Sequence, residues 1–191
     1  RPPVGATMAS SEVGARDARL ATVSNANNLG LVLNEGSWLP QGTAFDLQEW
    51  QWVLEKAILD NQATVVVIRP DEQALLAGRL NAENYLQVMS ELATRLPGVK
   101  LVLSTVGMDE PNATLTRFNR QVRESVLMNK GMLFDAADLE SWRNGEQHMV
   151  NETPVRHLAY RAVTGSPASD NLANQGAAAW WLLARLAGWE G

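Results

Sequence analysis

The chain has 191 residues, a length at which one domain is the default and roughly 70% of the unfolded surface can be buried. With 46% hydrophobic and 19% charged residues it has a globular composition, and a formal charge of −5 offers no basic stripe to neutralise phosphates, which argues against nucleic acid and anionic lipid as partners. Cysteine is absent, which removes disulfides, thiolate nucleophiles and cysteine-held metals together; no cofactor motif takes their place. The longest apolar run, residues 176–189, is broken by Arg185 and falls short of the roughly 18 residues of a membrane span, so no membrane partner is expected. A start at Arg1 leaves open a trimmed leader, and with it a secreted or periplasmic location.

Residues 1–18 carry two prolines and no steady hydrophobic period, which reads as an N-terminal arm; residues 19–191 read as one domain. Residues 19–24 form the first candidate strand, followed by a polar run through Asn28 and a short apolar segment at 29–33. Asp46 with Glu49 resembles a capping box, and Leu47, Trp50, Leu54, Ala57 and Ile58 then recur at helical spacing. Residues 64–68 are an apolar, mostly β-branched run, the pattern of a strand buried on both faces. A helix carrying Tyr85, Val88, Met89, Leu92 and Leu96 stops at Pro97-Gly98. A strand at 99–106, a helix marked by Leu115, Phe118, Val122 and Val126, and a short strand at 132–135 follow. Residues 141–170 are polar and longer than an ordinary connection, and hold both histidines; a helix over 171–187 closes the chain. The β-α-β-α-β alternation predicts a three-layer α/β/α sandwich with a mostly parallel sheet and ligands at the carboxyl ends of its strands.

The order Tyr85 and Met89 in a helix, Leu96-Pro97-Gly98-Val99 into a strand, Ser104-Thr105-Val106, Phe118-Asn119, then Leu133-Phe134-Asp135 resembles the second half of the SGNH (GDSL-type) hydrolases. The ending Ala179-Trp180-Trp181-Leu182-Leu183-Ala184-Arg185-Leu186-Ala187-Gly188-Trp189 resembles the last helix of one subgroup. The resemblance implies a flavodoxin-like sandwich and a serine ester hydrolase, an esterase or carbohydrate deacetylase. It also implies a serine after the first strand, oxyanion donors after later strands, and an aspartate and histidine before the last helix.

At those positions the sequence departs from the pattern. Ser24 follows the first candidate strand without a preceding glycine-aspartate, and a serine there equally caps a turn. Arg69-Pro70-Asp71-Glu72 stands where the resemblance calls for an asparagine-bearing block. Arg69 offers charge to an anion, or joins a solvated ion cluster with Asp71. Asp170 fits the aspartate, but Ala173 or Asn171 falls on the histidine position. His157 is then the replacement base, and a triad of Ser24, His157 and Asp170 is the enzyme reading. Asn28, Trp38, Arg69, Asp71 and Trp142 are candidate ligand contacts, the tryptophans as a platform for a sugar ring. Two histidines nine residues apart make no zinc pattern. The leading expectation is an SGNH-like domain without the standard catalytic residues, serving as a binding or scaffold domain for a small molecule or carbohydrate. An active hydrolase with a non-standard triad and an engineered variant of such an enzyme are the alternatives.

Overall fold

A computed structural model describes residues 7–13, 18–24, 30–34, 47–60, 62–161, 169–186 and 188, with backbone alone for the first three segments and for 169–173. The elements are β1 (Thr7–Val13), β2 (Ala18–Ser24), β3 (Gly30–Asn34), α1 (Leu47–Asp60), β4 (Val65–Arg69), α2 (Glu72–Leu76), α3 (Ala82–Arg95), β5 (Lys100–Ser104), α4 (Ala113–Asn129), β6 (Met132–Phe134) and α5 (Ala136–Ser141). Two small hairpins follow, β7 (Trp142–Arg143) with β8 (Glu146–Gln147) and β9 (Met149–Val150) with β10 (Thr153–Pro154), then a 3-10 turn (Leu158–Tyr160) and α6 (Ser169–Leu186).

The six-stranded sheet runs in the order β1-β2-β3-β4-β5-β6; β3 to β6 are parallel, while β1 and β2 are antiparallel additions on the β3 flank. Because the parallel strands follow one another in a single direction, right-handed crossovers deliver α1, α3 and α4 to one face. Strand alternation fits: Val66 and Ile68 pack with Trp50, Leu54, Tyr85, Leu92, Phe118 and Val122 on that face. Val65, Val67, Val102 and Phe134 meet Ala179 and Leu183 of α6 on the other. The chain is thus a three-layer α/β fold, as the alternation predicted.

Three local differences from the sequence reading matter. Residues 7–13, read as part of an arm, form the outermost strand β1. Residues 19–24 lie in a strand that runs against the parallel set, so the leading parallel strand is β3, the segment read only as an apolar stretch after a loop. In a flavodoxin-type sheet the chain reverses its direction of travel across the sheet after its first crossover; here the antiparallel pair β1–β2 occupies that flank.

Helix ends are fixed by side chains that accept orphan amide protons. Asn81 caps α3 by accepting from Asn84 N, Asn112 caps α4 by accepting from Thr114 N and Leu115 N, and Asp71 caps α2 by accepting from Gln73 N. Lys130, in the left-handed region at φ 50°, ends α4. No helix among the described residues is long and apolar enough to cross a membrane.

Candidate functional site

The carboxyl ends of β4, β5 and β6 are held apart and in place by three side-chain devices. Tyr85 donates its hydroxyl to Ile68 O at 2.7 Å and accepts from Ser104 N at 2.9 Å, so one phenol joins β4 to β5 where they begin to diverge. Asn119 accepts from Val106 N at 2.9 Å and donates to Val106 O at 2.8 Å, which satisfies both buried backbone groups of that residue past the end of β5. Asp135, just beyond β6, takes a two-pronged bond from Arg123, both arms at 2.8 Å, and a bond from the Thr105 hydroxyl at 2.7 Å. Thr105 in turn accepts from Ala137 N, which seats the first turn of α5. Burial pushes the Asp135 carboxyl up, but the bonds from Arg123 and Thr105 and the Arg123 charge outweigh it and hold it below the usual carboxylate range.

On this frame stands Glu140, whose side chain is 1% exposed. Its Oε1 accepts from Arg69 at 2.5 Å and from Gln175 of α6 at 2.7 Å; its Oε2 accepts from Arg156 Nε at 2.7 Å. Arg69 also donates to Gln175 Oε1 at 3.1 Å. Arg156 reaches onward to Asp109 Oδ1 at 2.6 Å and Gly107 O at 3.3 Å, and passes Glu72 at 3.9 Å. Five separate stretches of chain therefore meet at one buried carboxylate. Burial alone raises the Glu140 carboxyl; the charges of Arg69 and Arg156 and their hydrogen bonds reverse this and leave it lowered, so it stays ionised. Burial works against the charge of Arg156 as well, and Glu140, Asp109 and Glu72 together more than restore it. Glu72 goes the other way: partial burial raises it, Arg156 lowers it less, and Asp109, Glu140 and Asp71 add to the rise. Glycine at position 107 leaves the room that the clamped carboxylate fills, since a Cβ there would sit 1.9 Å from Glu140 Oε2.

The residues singled out in the sequence are distributed as follows. Ser24 ends β2, beside the start of β3, because Val23 pairs with Gly30, whereas Arg69 pairs with Asn34 at the far end of β3. Four residue steps of about 3.3 Å separate those ends, about 13 Å. His157 lies at the Arg69 end, with its backbone N–H on Glu140 O at 2.8 Å. The structure therefore does not bring Ser24 and His157 together. The physical reason is strand direction: an antiparallel strand delivers its last residue to the edge where parallel strands begin.

His157 is also committed locally, since its Nδ1 accepts from Ala159 N at 3.1 Å and caps the 3-10 turn. A neutral ring that accepts at Nδ1 carries its proton on Nε2, the reverse of what a serine-activating base needs. His148 packs edge-on against His157 at 5.7 Å between ring centres, and among the described residues neither imidazole contacts a carboxylate. Asp170 is the second residue of α6, and its side chain lies outside the described residues, as do Asn28 and Trp38 altogether. Arg69 joins the Glu140 cluster, Asp71 caps α2 beside it, and Trp142, 42% exposed, donates its indole N–H to Asp138 at 3.2 Å. Asp138 precedes Glu140 by two helical positions, about 200° around α5, so Trp142 is anchored on a different side of α5 from the Glu140 carboxylate.

Sequence reasoning missed Glu140, Arg156, Asp109 and Gln175, which are paired over separations invisible in a one-dimensional reading. It also took residues 19–24, not β3, as the leading parallel strand. With β3 leading the parallel set, the sequence after the first parallel strand is Glu35-Gly36-Ser37, outside the described residues, and the signal available for it was the apolar run 31–33 followed by glycine-serine.

Among solved structures, the chain is similar to a Bacteroides fragilis protein assigned as an acylhydrolase, with TM-score 0.52 and 13% identity over 71% of each chain. It is also similar to a GDSL-like lipase of Bacteroides thetaiotaomicron, with TM-score 0.50 and 11% identity over 73% of this chain and 69% of that one. The fold is that of the GDSL-type hydrolases. No protein-family model matches this chain, and no curated protein sequence matches it.

Proposed function

We propose that this SGNH-like domain acts as a binding or scaffold domain without the serine–histidine chemistry of its structural neighbours. The observation that carries the reading is the state of the chain's two histidines. His157 uses Nδ1 as an acceptor in a turn cap, and His148 rests against it. A serine hydrolase base needs Nδ1–H on a carboxylate and a free Nε2 lone pair, and losing such a base costs several orders of magnitude in rate. The carboxylate at the carboxyl edge of the sheet, Glu140, has both oxygens occupied by Arg69, Gln175 and Arg156. That carboxylate is saturated from within, as befits a rigid frame.

Carbohydrate is the ligand class that suits the rim. Asp71, Glu72 and Asp109 are acceptors for hydroxyl donors, while Arg69 and Arg156 are engaged by carboxylates and leave little attraction for phosphate.

The test is a fluorophosphonate probe followed by intact mass and peptide mapping of every serine, with hydrolysis of a p-nitrophenyl acetate ester in parallel. The expected result is no adduct and no turnover above buffer. The competing reading, an active esterase, is favoured by the sequence Gly36-Ser37, which begins two residues after the end of β3; a stoichiometric adduct on Ser37 or Ser24 that disappears in the corresponding alanine variant would establish it. Titration of a panel of neutral and acetylated oligosaccharides by calorimetry tests the ligand class.

A further inference from the structure

We infer that Asn144 is a self-modifying position, converted spontaneously to aspartate and isoaspartate through a cyclic imide. Of all the asparagines in the chain, Asn144 alone is followed by glycine. It forms with Gly145 the two-residue tip of the β7–β8 hairpin, with φ 53° and 85°, the left-handed pair of a tight hairpin turn. Both residues are exposed, a Cβ placed on Gly145 would meet nothing within 4 Å outside its chain neighbours, and glycine itself has no side chain to hinder attack by its nitrogen.

The chemistry needs only water. The Gly145 amide gives its proton to hydroxide, and its nitrogen attacks Cγ of Asn144. The new C–N bond closes a five-membered ring while the side-chain nitrogen, having gained a proton, leaves as ammonia. Water then adds to either ring carbonyl and breaks a C–N bond, giving aspartate or a β-linked isoaspartate. Among the described residues, several other asparagines are restrained against this route in two ways. Asn112 and Asn81 hold their side chains in helix caps, and Asn119 is clamped on Val106. Asn151, also exposed at a positive φ, is followed by Glu152, whose side chain hinders attack by its nitrogen.

Isoaspartate lengthens the main chain by one carbon inside a turn flanked by strands of two residues each, so it disrupts the pairing of Trp142 with Gln147 and Arg143 with Glu146. Gln147 donates to Ser141 Oγ at 3.0 Å, and His148 N donates to Ser141 O at 2.8 Å. The change is therefore felt next to Glu140, and it adds a negative charge near Glu146.

Incubation of the folded protein at mildly alkaline pH, with peptide mapping by mass spectrometry and isoaspartate detection by enzymatic methylation, tests this. The expected result is conversion at Asn144 several-fold faster than at any other asparagine, with isoaspartate signal lost in Asn144→Gln. Because Gly145→Ala strains a residue at φ 85°, Asn144→Gln is the primary control, its fold checked by circular dichroism. Faster conversion at another asparagine, or an Asn144 that stays intact while others react, would overturn the inference.

Discussion

Glu140 is the residue on which most separate segments depend, and its removal separates two accounts of the site. If the carboxylate neutralises Arg69 and Arg156, Glu140→Gln keeps the shape but takes the carboxylate from Arg69 and leaves Arg156 with Asp109 and Glu72 alone, and breaking one side of a buried ion pair costs about 3 to 5 kcal/mol. A lowered urea midpoint at unchanged slope is the expected outcome, and a midpoint within error of wild type would show that the cluster is solvated. Gly107→Ala acts on the same atoms through overlap, since its Cβ falls 1.9 Å from Glu140 Oε2; overpacking of this kind costs about 1 to 3 kcal/mol. Glu72 has the opposite sign. Its carboxyl is raised by burial and by its acidic neighbours, so its charge is a net penalty above that raised value and no penalty below the ordinary one. Glu72→Gln should stabilise the fold at neutral pH by less than about 1 kcal/mol and make no difference in acid, measured as thermal midpoints at both pH values. None of these three roles was legible in the sequence: Glu140 sits in an ordinary short acidic stretch, and Arg156 is one of several cations in a polar loop.

At the scale of elements, β4, β5, β6, α1, α3, α4 and α6 were legible because each carries its own signal, whereas the short α2, α5 and the hairpins β7–β10 were not. The β-branched run became β4, the face of Tyr85, Val88, Met89 and Leu92 became the buried face of α3, and Pro97-Gly98 follows its end. What periodicity does not encode is direction. The segments 19–24 and 29–33 each look like a strand, and only long-range pairing makes the first antiparallel and the second the head of the parallel set. That one ambiguity is why Ser24, expected beside the loop histidines, ends its strand at the opposite edge of the sheet from Arg69 and His157. Tyr85 shows how an element is tied to its neighbours once direction is set. Its ring is fully buried against Phe118 at 5.5 Å, and its hydroxyl bridges β4 and β5. Tyr85→Phe keeps the ring and strands two buried backbone groups, Ile68 O and Ser104 N. A loss of about 1 to 3 kcal/mol is expected, with faster amide exchange at Ser104; exchange at wild-type rate would mean that another partner takes over.

For the molecule as a whole, the layers follow from strand order. A parallel sheet built in one direction collects its crossover helices on a single face, and α6 from the far end of the sequence must cover the other. The carboxyl edge between those layers is closed by ionised groups, which makes its integrity a function of pH. Asp135 and Glu140 are both held below the ordinary carboxylate range in the folded state, so each contributes stability that is fully present above its unfolded value, about 4, and is lost as pH falls through the lower folded value. Asp135 joins α4 through Arg123, the end of β5 through Thr105 and the start of α5 through Asp138 N and the Thr105 bond to Ala137 N. Its protonation therefore loosens three elements around the same edge at once. Asp135→Asn cannot take up or release that proton. The variant should be less stable than wild type at neutral pH, and the gap between their urea midpoints should narrow as pH falls below about 4. Parallel midpoint curves across that window would mean that Asp135 supports the fold through shape alone and that its charge contributes nothing.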